Sequence, residues 1–102
     1  MIENTISMDQ YPFMHTQDCT PITDKEKRSI QRRAWDWAKQ QGWAINKRQF
    51  ENFVSSHKEA REKGNERRMT YIEEVLTEIN FHTACSYLHF GEYENALKDW
   101  RE

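Results

Sequence analysis

The residues of this chain best suited to chemistry lie in two short groups of histidine and cysteine. His15 and Cys19 are separated by three residues, and His82, Cys85 and His89 follow at i, i+3 and i+7, which puts all three on one side of a helix beside Tyr71 and Glu78. A closed structural zinc site takes four Cys or His ligands in a tetrahedron, so folding the first group onto the second would bring five candidates together. The spacing follows no zinc-finger pattern, and a His and a Cys on a partly buried helical face are ordinarily satisfied core residues. Zinc is the one cofactor the residues suggest. Cys85 with His82 or His89 also suggests a thiol nucleophile. Neighbours on one helix, however, do not hold a nucleophile, a base and an orienting group in line. Glu73, Glu74 and Glu78 form no paired-carboxylate arrangement for acid–base work. The expectation is a protein that binds and does not catalyse, with no catalytic residues to name.

The distribution of charge says more. Between Asp24 and Arg68 there are thirteen Lys or Arg against seven Asp or Glu, a net +6. Residues 1–23 carry −3 and residues 69–102 carry −5, so the overall −2 conceals a basic segment between two acidic ones. Such asymmetry marks a surface for nucleic acid or an acidic partner, or else a set of solvated helix faces in which Lys and Arg pair with Glu51, Glu59 and Glu62.

The elements that must position these groups are helices. Only two Pro and three Gly interrupt 102 residues rich in helix formers, and 13% of the residues are aromatic, enough large apolar surface for one modest core. The fold class read from this is all-α: a three-helix core with a long third helix, a short C-terminal helix and an irregular N-terminal arm. Residues 1–22 form the arm and 23–102 a single helical domain. Thr23-Asp24-Lys25-Glu26 is a capping box, and Ile30, Ala34, Trp37 and Ala38 give an inner stripe ending at Gly42, which sets a first helix over 24–41. Asn46 with Gln49 caps a second helix over 47–62, with Phe50, Phe53, Val54, His57 and Ala60 inward. A third helix runs from Glu66 towards Phe90, about 37 Å at 1.5 Å per residue. Tyr93, Ala96, Leu97 and Trp100 then face inward from a last helix after the corner at Gly91. Apolar groups surround the end of the third helix, which calls for cover from the chain itself or from a second subunit, and a homodimer through this helix is expected. No apolar run approaches the roughly 18 residues of a membrane span, the start is unlike a signal peptide, and two cysteines make no disulfide framework. A cytoplasmic protein without membrane contact is expected.

The turn between the first two helices carries a resemblance. Ala38-Lys39-Gln40-Gln41-Gly42-Trp43-Ala44-Ile45-Asn46-Lys47-Arg48-Gln49-Phe50 resembles the helix-turn-helix of phage packaging and regulatory DNA-binding domains. There a small residue precedes Gly by four, Gly-aromatic opens the turn, an aliphatic residue plugs the core, and a polar cap is followed by basic residues. It departs from the repressor-type motif, in which position 48 is apolar. The resemblance implies that Lys47, Arg48 and Gln49 face base edges or phosphates, with Trp43 beside them. Lys25, Arg28 and Arg32, at three and four spacing on the first helix, would meet phosphates. Trp35 points away from the stripe of Trp37, and an exposed Trp stacks on a base, anchors a protein interface or closes a core. The rival expectation is a protein-binding inhibitor or adaptor that uses the exposed aromatics and the acidic C-terminal half.

Overall fold

The structure is a computed structural model that describes residues 19–100; within them the chain forms five helices and no strand. The first, α1 (Asp24–Gln40), starts where expected: the Thr23 side chain accepts from the Glu26 backbone N–H, and Glu26 reaches back to the Thr23 N–H. Ile30, Ala34, Trp37 and Ala38 are its buried face. The second, α2 (Lys47–Lys63), opens on the reciprocal pair of Asn46 and Gln49, at 2.8 and 2.9 Å.

The expected long third helix is instead two helices, α3 (Glu66–Glu78) and α4 (His82–His89). The break is Asn80, whose φ of 67° is left-handed. The Phe81 N–H bonds the Leu76 carbonyl and the Asn80 N–H that of Thr77, the paired bonds of a Schellman stop, here built on Asn where Gly is commoner. The same stop ends α1 at Gly42, α2 at Gly64 and α4 at Gly91, each left-handed. An alanine in that conformation lies about 1 kcal/mol above a glycine. Asn lies between the two, so Asn80→Ala is expected to lower stability by up to about 1 kcal/mol and Asn80→Gly to hold or raise it, which paired thermal unfolding curves will show.

With the chain turned at Asn80, α4 and α5 (Tyr93–Lys98) fold back, α4 against α3 and both against α2. α3 lies in the middle, packed on α1 and α2, with Tyr71, Ile72, Val75 and Leu76 fully buried. α1 and α2 meet through side chains, the Trp37 and Phe53 rings standing edge to face at 5.4 Å. Beyond α5, Trp100 closes the core against Phe50 and Phe81, each at 5.6 Å. The apolar groups that suggested a dimer seam on the third helix are covered by this chain: Ala84 and Leu88 are buried, and Phe81 and Tyr87 pack on the core. Among the described residues, no helix is long and apolar enough to cross a membrane.

Candidate nucleic-acid interface

Nine of the thirteen cations of the basic segment fall into two sets. Arg67 pairs with Glu26, while Arg68 and Lys63 share Glu59. Arg61 donates to the Tyr93 hydroxyl at 2.8 Å and to the Leu88 and His89 carbonyls at 3.0 and 2.6 Å, which caps the C-terminal end of α4. Arg61, Arg67 and Arg68 thus tie helices to one another, while the Lys63–Glu59 pair lies exposed along α2. The other set, Lys25, Arg28, Arg32, Lys47 and Arg48, is exposed, and none of the five makes an ion pair with a described residue. Glu51 and Glu62, the carboxylates that helical spacing offered as partners, make no ion pair with a described residue either.

On α1 the unpaired cations line up. Lys25, Arg28, Arg32, Trp35 and Lys39 recur at intervals of three and four, one exposed stripe about 21 Å long at 1.5 Å per residue. Trp35 is 42% exposed, and the Lys39 ammonium stands 5.3 Å from its ring centre. Trp43, 41% exposed, meets Trp35 edge-on at 5.2 Å, so the stripe continues into the turn. The turn holds Trp43 at φ 63°, directly after the left-handed Gly42; a bulky residue in that region is strained by about 1–2 kcal/mol. Its N–H closes the Schellman stop on the Ala38 carbonyl, and Ile45 is the buried plug that follows.

Gln49 has a different role from the one its position suggested. Its side chain is buried, its carbonyl accepts from the Asn46 N–H, and its amide donates to Gln41 at 3.4 Å. The box holds the carbonyl, Gln41 takes the amide, and burial turns the side chain inward. Lys47 and Arg48, the first two residues of α2, stay outward with no acid in that turn.

The histidine and cysteine groups are used otherwise. Glu73 on α3 receives the buried His57 Nε2 at 2.8 Å and His89 Nδ1 at 3.4 Å on its carboxylate. Its backbone carbonyl takes the Cys85 thiol at 3.4 Å and the Thr77 hydroxyl at 2.8 Å. His57 Nδ1 lies 3.0 Å from the Tyr93 hydroxyl, so one network ties α2, α3, α4 and α5. Burial works against ionisation of Glu73, but its hydrogen bonds and charge attraction to His57, then His89, outweigh this and hold its pKa below the ordinary carboxylate value. Burial pushes the Cys85 thiol up; the Thr77 hydrogen bond opposes this, and the Glu73 and Glu74 carboxylates add to it, so the thiol stays protonated. The expected gathering of ligands does not occur among the described residues, where no three of His, Cys, Asp or Glu come together to hold a metal ion. Cys85 and His89 are drawn to Glu73, His82 is exposed, and the Cys19 thiol donates to the Lys63 carbonyl at 3.7 Å. His15 lies outside the described residues.

Compared with protein families, curated proteins and solved structures, the chain matches none.

Proposed function

We propose that this chain is a small, non-enzymatic nucleic-acid-binding protein that grips phosphates with the exposed face of α1 and the first turn of α2. The observation that carries the reading is the placement of Lys47 and Arg48. The N-terminal end of a helix bears the positive end of its dipole, and cations there cost about 0.3–1 kcal/mol each. A chain that puts two in succession at that end, exposed and without an acid in the turn, accepts this for a purpose that an anion supplies. Arg28 and Arg32 extend the same sign along α1, and the strained Trp43 joins the two.

Titration of labelled DNA, duplex and single-stranded, at two salt concentrations tests this. Five phosphate contacts give a log–log salt slope of about −3.5 on single strands or −4.5 on duplex. Absence of binding at low salt overturns the reading.

A second reading has its own observation. Phe90 is 73% exposed and Leu97 43%, beside Glu92 and Glu94 at the α4–α5 corner, a surface suited to a protein partner.

A further inference from the structure

The exposed face of α1 carries an open cleft of about 480 Å³, lined among the described residues by Arg32, Trp35 and Asp36. Its chemistry is mixed: a guanidinium, an indole and a carboxylate. A pure phosphate groove has no use for Asp36, which repels the backbone, and Asp36 makes no ion pair with a described residue, although Arg32 and Lys39 are close along the helix. A carboxylate in a basic stripe is therefore suited to something on the ligand that donates.

Among the bases the donors differ. Guanine offers two adjacent donors, N1–H and the N2 amino group, which a carboxylate takes together. Adenine and cytosine set one amino donor beside a ring-nitrogen acceptor that the carboxylate repels, and thymine sets one N–H between two carbonyls. That guanine edge is covered by cytosine in a duplex, and the base face is covered by its neighbours, so only an unpaired, unstacked guanine presents both to Asp36 and Trp35. We propose that the cleft takes one unstacked guanine of a single strand, its face on Trp35, its Watson–Crick edge on Asp36 and the adjoining phosphates on Arg32 and Arg28. This rests on the nucleic-acid reading above and narrows it. Lys39 lies over one face of the Trp35 ring and Trp43 stands edge-on to it, so the base takes the face opposite the Lys39 ammonium.

The test uses the full chain and labelled dT 12-mers, either all thymine or with one central dG, dA or dC, by fluorescence anisotropy at low and at moderate salt. A single guanine avoids self-association of the probe. The dG strand should bind about 10-fold or more tightly than the others, the discrimination of one good bidentate contact. Asp36→Asn should erase that preference while binding to all-thymine holds or strengthens, since a negative charge leaves the stripe. Trp35→Ala should weaken the dG strand by about 10- to 100-fold. Both residues are exposed, and a circular dichroism melt confirms that each variant is folded. Equal affinity for all four strands, or a guanine preference that survives Asp36→Asn, overturns the guanine site. If those strands still bind with a steep salt dependence, the broader reading stands without it. If no strand binds at any salt, both fall together.

Discussion

Reversing Lys47 and Arg48 to glutamate together should raise the melting temperature of the chain while lowering its affinity for nucleic acid by about 100-fold or more. The opposite signs are the point. Both side chains are exposed and unpaired among the described residues, so nothing in the packing depends on them. Two cations at the positive end of α2 become two anions, and each exchange gains on the order of 0.5–1 kcal/mol from the helix dipole. For a domain of this size about 1–2 kcal/mol corresponds to a rise of roughly 5–15 °C. On the binding side, two counterion-releasing contacts disappear, which flattens the salt slope by about 2, and two repulsions near phosphate replace them. Thermal unfolding and anisotropy on one preparation give both numbers. A variant that is more stable and binds as before would make the two cations decoration. A loss of stability alongside the loss of binding would mean that they hold the turn.

The first half of the molecule was legible because its signals are local. Thr23 with Glu26 and Asn46 with Gln49 are pairs three residues apart, and a left-handed Gly42 needs no tertiary help. The outward Trp35 and inward Trp37 follow from helical phase alone. The break at Asn80 was hidden because Asn tolerates the left-handed state less well than Gly, and the spacing from Ile72, Val75 and Ile79 on to Phe90 stays in helical phase. Once the break is missed, the residues of α4 run straight on from α3, and their apolar groups look like a seam for another subunit, whereas the turn at Gly91 still sends α5 inward. Gln49 shows a subtler loss: its two roles were compatible on paper and exclusive in space. The network at Glu73 joins residues 16 and 36 positions from His57, a separation that no spacing rule reaches. Its single sequence trace was an imidazole on an inner face. A buried imidazole must find partners for both nitrogens, and that requirement signalled a network without naming Glu73 or Tyr93.

That network yields the largest expected effect on stability. His57→Ala should destabilise the chain by about 3 kcal/mol, a fall of roughly 10–25 °C in melting temperature. The imidazole is fully buried and bridges Glu73 to Tyr93, so its removal leaves a cavity and deletes two hydrogen bonds. The loss is bounded because Glu73 keeps His89 and Tyr93 keeps Arg61. His57→Gln, which can still donate to the carboxylate, should recover part of it. The pH dependence carries a separate signature. The pKa of Glu73 is held below its ordinary value of 4.5, so its contribution is complete above that pH and drains away as pH falls through the folded value. Removing His57 removes the leading cause of that depression, and the acid limb of stability between about pH 5 and pH 3 should flatten. Urea unfolding followed by circular dichroism at pH 7 and pH 4 measures both effects. A change below about 1 kcal/mol at pH 7 would mean that apolar packing alone holds α4 and α5 against α2. The face of α1 lies outside this network, so binding by the folded fraction should be unchanged, which separates a failure of the scaffold from a failure of the site.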